Sequence, residues 1–138
     1  MKLQVNTMLA LYSVMEFATD PQRHIPAGEI AHRYDVSPHH LAKVLAELAR
    51  AGVVESVRGV GGGYRFAANA RRLTLLDVIQ LFEDVSGGPR REEQRDPVDR
   101  ALATVLAEVD QMAHATFSSI TIATMLRLVE REKAEGSA

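Results

Sequence analysis

Apolar residues recur at helical spacing along most of this chain, interrupted once by a short stretch of strand character. Over residues 6–19, Leu11, Met15 and Ala18 follow at i, i+4 and i+7, with Met8 and Tyr12 as a flanking row, which predicts a helix. Asp20-Pro21 ends it, because the residue before a proline is pushed out of helical geometry. Pro26 opens a short helix over about 26–33 with Ile30 and Ala31 inward, and Tyr34-Asp35-Val36 reads as a turn. Ser37-Pro38 is a strong helix start, since serine caps free backbone N–H groups and proline at the first helical position has none to lose. Leu41, Val44, Leu45 and Leu48 then repeat at i, i+3, i+4 and i+7, a single apolar stripe on a helix over 38–51 that Gly52 ends. Val53 to Val57 and Tyr64-Arg65-Phe66 read as two strands around the turn Arg58-Gly59-Val60-Gly61-Gly62-Gly63, a hairpin with a glycine-rich tip.

Downstream the pattern returns to helix. Thr74 with Asp77 three residues on forms an acidic capping box for a helix over 75–84, whose inner face is Leu75, Val78, Ile79 and Phe82. Residues 86–97 are polar almost throughout and predict a flexible loop. Val98, Leu102, Val105, Leu106, Val109, Met112 and Ala113 then space at close to 3.5 residues on a helix over 98–117. Such a stripe asks for a partner surface. Ser118-Ser119 is expected to break this helix, and Thr121 to cap a last one carrying Ile122, Met125, Leu126 and Val129.

The order of helix, short helix, turn, capped helix and glycine-tipped hairpin is a helix-turn-helix followed by a wing. That arrangement puts the N-terminal part of its second helix into the major groove of DNA. Here the outward residues at that position are His39, His40 and Lys43, with Ser37 at the cap, where backbone N–H groups can meet a phosphate. Arg58, flanked by glycine, tips the wing and suits the negative potential of a narrow minor groove.

Composition sharpens this reading. The 138 residues suffice for one domain with its own core. The chain has no cysteine, which excludes a disulfide scaffold, a thiol nucleophile and thiolate-held zinc or iron–sulfur centres. The formal net charge of −2 looks unsuited to nucleic acid, yet residues 37–72 hold six arginines and lysines against two acids, a local +4 that leaves −6 for the rest. Affinity for phosphate follows the contacting face, not the chain total. No apolar run approaches the ~20 residues of a membrane helix, and no export signal is visible at the N-terminus, so a cytoplasmic protein without membrane contact is expected.

The sequence resembles the Rrf2 family of bacterial winged-helix transcription regulators, which includes an iron–sulfur cluster assembly regulator and a nitric-oxide-sensing repressor. The resemblance is carried by Met1-Lys2-Leu3, Ala27-Gly28-Glu29-Ile30-Ala31, Val36-Ser37-Pro38-His39-His40-Leu41, Leu75-Leu76-Asp77-Val78-Ile79 and, most specifically, the run from Gly52 to Tyr64. It implies a mainly α fold with a small β-hairpin wing, organised as a DNA-binding winged helix-turn-helix over 1–85, the loop 86–97, and a dimerisation helix with a C-terminal helix packed on the first domain over 98–138. It further implies a homodimer on a partly palindromic double-stranded DNA operator, with a repressor expected. By matching position, the DNA contacts are Lys2, Ser37, His39, His40, Lys43, Arg58 and Gly59, and the apolar stripe independently offers Val98, Leu102, Val105, Leu106, Val109 and Met112 as the dimer contacts. Cluster-bearing members carry three cysteines in the loop before the long helix, where this chain has arginines and acids instead, so no cofactor is expected and cluster-based sensing is not carried over. An effector, if small, has to act by another route, and His114 beside Met112 is the place to look for it.

Other readings have less behind them. The glycine run lacks the following helix that a nucleotide loop needs, and the five histidines show no i, i+4 pair for a metal. Ser86, Ser118 and Ser119 have no His/Asp pattern beside them, and no enzyme is expected. The remaining alternative is a winged-helix interaction module that regulates a metabolic enzyme without binding DNA.

Overall fold

The computed structural model describes residues 2–59, 62–83 and 96–136. Among these, the elements run α1 (Val5–Thr19), α2 (Ala27–Arg33), α3 (Pro38–Arg50), β1 (Val54–Val57), β2 (Gly63–Phe66), α4 (Leu75–Ile79), α5 (Pro97–Ser119) and α6 (Ile122–Gly136). α1 lies at the centre and touches α3, β2, α4 and α6. This explains a difference from the periodicity. Leu11 and Met15 are only half-buried and Tyr12 is exposed, whereas Leu9, Ala10, Val14, Phe17 and Ala18 are buried. A helix packed on several sides has no single apolar stripe, so the spacing of one row understates its buried face.

The helix-turn-helix is α2, a turn and α3. The turn closes with the Val36 N–H donating to the Ala31 carbonyl, and Asp35 adopts φ +53°, a left-handed conformation that aspartate tolerates. Pro38 opens α3 as expected, with the Ser37 hydroxyl accepting from the His40 N–H at 3.0 Å. The stripe Leu41, Val44, Leu45 and Leu48 is buried in full. At the far end Gly52 has φ +80°, and the Val53 N–H reaches back to the Leu48 carbonyl at 3.0 Å while the Gly52 N–H meets Ala49. This paired closure needs a left-handed residue, for which glycine carries no steric cost.

β1 and β2 pair antiparallel, Val54 opposite Phe66 and Val57 opposite Gly63. Residues 60 and 61 of the expected hairpin tip lie outside the described residues. The wing is not free-standing. Ile25, between α1 and α2, exchanges two backbone hydrogen bonds with Tyr64, at 2.8 and 3.0 Å, and so adds a third short rung beside β2. Gly63 has φ +155°, and a Cβ there would lie 2.6 Å from the Ile25 carbonyl oxygen. Only glycine lets the two backbones approach this closely.

α4 is shorter than the predicted 75–84. It ends at Ile79, where the Leu81 and Phe82 N–H groups turn to carbonyls three residues back. Val78 and Ile79 are buried as expected, and Leu76 is buried beside them while Leu75 is only partly so. The capping box is present, with the Asp77 N–H donating to Thr74 Oγ1 at 3.1 Å and the Thr74 N–H to Asp77 Oδ2 at 3.0 Å. Thr74 also bridges to Thr121, and the Leu75 N–H donates to Ile120 and the Ile122 N–H to Leu73. These bonds tie the start of α6 to the start of α4 and bury Ile122 completely.

Residues 86–95 of the expected loop lie outside the described residues. Asp96 caps α5 and Pro97 is its first helical residue, one earlier than predicted. Ser118 and Ser119 do not break the helix: their hydroxyls donate to carbonyls three residues back, and the helix ends after them at the extended Ile120. Among the described residues no helix is long and apolar enough to cross a membrane.

Two polar features of α1 have measurable consequences. Thr7 is fully buried, and its hydroxyl has no hydrogen-bond partner among the described residues. An unpaired buried hydroxyl loses its hydration without replacement. Thr7→Val should therefore stabilise the fold by about 1 kcal/mol, read as a higher urea midpoint with an unchanged slope. Further along, Tyr12 stacks on Tyr34 with ring centres 4.9 Å apart, and the Tyr34 hydroxyl donates to Glu16 Oε1 at 2.7 Å. Partial burial, and then the hydrogen bond and charge of Glu16, push the Tyr34 phenol up from 10.0 to about 12, against a smaller opposing pull from Arg33. A phenol held neutral in the fold adds stability that is complete below pH 10.0 and is lost as pH rises to about 12. The Tyr34 ring should remain protonated at about pH 11, checked by ultraviolet titration against Tyr34→Phe.

Candidate nucleic-acid interface

α3 presents two opposite rows. Leu41, Val44, Leu45 and Leu48 face the core, and His39, Lys43, Ala46 and Arg50, spaced at i, i+4, i+7 and i+11, are all exposed. The inner row holds the helix and the outer row is free to meet a ligand. His40 is also exposed but lies to one side of this row, about 100° from His39. Its backbone N–H is taken up by Ser37 Oγ, so the serine hydroxyl spends one lone pair inside the cap.

The electrostatics of the outer row are not uniformly basic. Arg50 pairs with Glu47 at 2.6 Å, and in the wing Arg65 pairs with Glu55. Lys43 and Arg58 make no ion pair among the described residues. Arg58 directly follows β1 and is exposed, and Gly59 beside it has φ +105°. Lys2 is exposed ahead of α1. The seven positions singled out in the sequence are thus all at the surface, on α3 and its cap, at the wing and on the N-terminal segment.

The structure brings further residues to this surface. Arg50 continues the His39–Lys43 row two turns further, past Ala46, a position that the spacing marks but that lies away from the start of the helix. Asn6 and Phe82 are brought to the side of α3 by the packing of α1 and α4, forming with Lys43, Glu47 and Arg50 the walls of an open cleft of about 330 Å³. No spacing rule links residues 6, 43 and 82.

The six apolar residues picked for a partner surface share an exposed face of α5. Met112 is 71% exposed, Val98 67% and Val105 57%, and Leu102, Leu106 and Val109 are each at least half exposed. Ala103 is the one buried residue of that helix. His114 is exposed on α5, and no group of three or more histidine or acidic side chains among the described residues is placed to hold a metal.

The chain is similar to known transcriptional regulators. The Rrf2 family, described as an iron-dependent transcriptional regulator, matches residues 3–128. A protein of Rhodopseudomonas palustris named as the helix-turn-helix-type transcriptional regulator BadM is 49% identical over 135 residues, covering 96% of this chain and 86% of that protein. Among solved structures, CymR, the global cysteine regulator of B. subtilis, superposes with a TM-score of 0.79 at 23% identity, covering 93% of this chain and 98% of that one. The T. potens protein IscR superposes with a TM-score of 0.78 at 25% identity, covering 96% of this chain and 90% of that one. The family and these relatives are transcriptional regulators, not enzymes. The iron in the family's description finds no thiolate donor here, since the chain contains no cysteine.

Proposed function

Because this chain belongs to the Rrf2 family of winged helix-turn-helix transcriptional regulators, we propose that it is a homodimeric repressor that binds a partly palindromic operator in the bacterial cytoplasm without an iron–sulfur cluster. The observation that carries the reading is α3, with a completely buried apolar row on one side and His39, Lys43 and Arg50 exposed on the other. A rigidly held helix with donors at its exposed side can read base edges and anchor phosphates. Ser37, His39, His40 and Lys43 enter the major groove from the α3 start, Arg58 and Gly59 bring the wing to the minor groove, and Lys2 supports the backbone. Residues 1–85 form the reading unit and 98–138 the pairing unit.

The exposed row Val98, Leu102, Val105, Leu106, Val109 and Met112 supports pairing with a second copy. An apolar helix face of this length is unfavourable in water and is relieved when two copies bury it against each other. Pairing fixes the separation of two reading helices, at about one turn of DNA or ~34–36 Å. The donor chemistry of a cluster is missing from the chain, so its signal acts through an effector of another kind or through a partner.

Operators selected from random DNA provide the test. Lys43→Ala and Arg58→Ala should each cost about 1–3 kcal/mol if they read bases, with specificity relaxed at one position, or lower the salt slope by about one if they hold phosphates. A double variant with undiminished operator affinity by fluorescence anisotropy refutes the assignment. Val105→Asp with Val109→Asp should give a folded monomer in sedimentation velocity and weaken operator binding at least tenfold through loss of the second half-site, an order-of-magnitude expectation from linked binding.

A further inference from the structure

The cleft at the side of α3 is bounded by parts of the chain that are far apart in sequence: Asn6 at the beginning of α1, Lys43, Glu47 and Arg50 on α3, and Phe82 just after α4. The start of α1 is held there by its own bonds. The Gln4 N–H donates to Glu83 Oε2 at 3.1 Å, and the Gln4 carbonyl accepts from Met8. Three kinds of donor line one concave surface, an ammonium, a guanidinium and an amide, which is a set suited to the oxygens of an anion. The charge is also specific. Lys43 and Arg50 supply two positive charges and Glu47, bonded to Arg50 at 2.6 Å, removes one. The lining residues then carry one net positive charge, and the nearby Glu83 carboxylate, bonded to the Gln4 N–H, lowers the field further, so a singly charged phosphodiester is matched better than a phosphate dianion. The cleft is open, so an anion that is part of a continuing chain can lie in it without its two ester arms being blocked.

We propose that this cleft seats one backbone phosphate of the DNA at the edge of each half-site, held by Lys43, Arg50 and Asn6. The proposal rests on the DNA-binding reading above, takes the phosphate alternative for Lys43 and not the base-reading one, and adds α1 to the supports given by α3 and the wing. The base-reading start of α3 is then set in depth and angle by a clamp made with α1, not by α3 alone. Glu47 orients the Arg50 guanidinium while keeping the net charge of the cleft low, which limits indiscriminate attraction to DNA.

The test compares wild type, Asn6→Ala, Arg50→Ala and Arg50→Lys on the selected operator and on unrelated DNA of the same length. Arg50→Ala should lose about tenfold in affinity on both DNAs and flatten the slope of log K against log salt by about 0.9, the contribution of one phosphate. Asn6→Ala should lose about threefold with little change in slope, as a neutral donor does. Arg50→Lys, which keeps the charge, should keep the slope. A scan of single methylphosphonate substitutions should find one position that weakens wild type at least as much as Arg50→Ala does and weakens Arg50→Ala by clearly less than it weakens wild type. Circular dichroism monitors folding, and if Arg50→Ala fails to fold, Asn6→Ala and the methylphosphonate scan on wild type decide the matter. If wild type binds its operator while Asn6→Ala and Arg50→Ala keep full affinity and slope, the seat is refuted and the DNA-binding reading stands. If no DNA is selected by wild type, both fall together. If inorganic phosphate shifts the Arg50 and Asn6 side-chain resonances while no methylphosphonate position couples to Arg50, the cleft takes small anions and the proposal is overturned.

Discussion

Burial of α1 is the constraint on which the other elements depend. Leu9, Val14 and Phe17 are almost wholly removed from water because α3, β2, α4 and α6 all pack around this one helix. A 15-residue helix with so little polar surface would not persist alone. Its stability comes from the shell, and the shell in turn has no other common surface to close on. Removing a ring such as that of Phe17 from such a centre opens a cavity several elements share, the kind of change that costs about 3–5 kcal/mol.

Around that centre the chain uses short backbone junctions to join what side-chain packing alone would leave loosely placed. Ile25 and Tyr64 exchange two backbone bonds and dock the wing to the segment between α1 and α2. Thr74 and Thr121 meet at a second bridge, each also capping the helix that follows it, so the C-terminal helix is fixed to the end of the winged unit. Both junctions need extended backbone between helices, and Gly63 makes the first possible by leaving room for the Ile25 carbonyl. The result is a rigid platform from which α3 and the wing project. Rigidity matters for a regulator that reads DNA, because base contacts discriminate only when their donors are held in place before binding.

Charge follows the same division of labour. The chain as a whole is slightly acidic, yet residues 37–72 carry an excess of +4. Even there the excess is tempered, since Arg50 and Arg65 are held by Glu47 and Glu55. Exposed pairs of this kind add little stability. Their larger effect is on orientation and on the field that the surface offers to a polyanion. The absence of cysteine separates the chain from a thiolate-based sensor chemistry without touching any part of the DNA-reading architecture.

Much of this was legible in the residues. The caps at Ser37 and Thr74, the glycine that closes α3 and the four-residue stripe of α3 are local signals, because each rests on groups within four or five positions of one another. The α5 row was readable for the same reason, and its exposure agrees with the spacing. The departures from the periodic pattern have two physical causes, tertiary cover and local hydrogen bonds. The buried side of α1 is wider than its periodicity implies because four elements cover it, α4 stops at Ile79 although its apolar residues continue to Phe82, and Ser118-Ser119 stay helical because their hydroxyls bond back to their own helix. The sequence by itself thus determined the local elements, the family and the chemistry that is missing. The juxtaposition of Asn6, Lys43, Arg50 and Phe82, and the stitching of Ile25 to Tyr64 and Thr74 to Thr121, were decided by the tertiary structure alone, because backbone bonds and clefts between distant segments leave no periodic mark on the residues that form them.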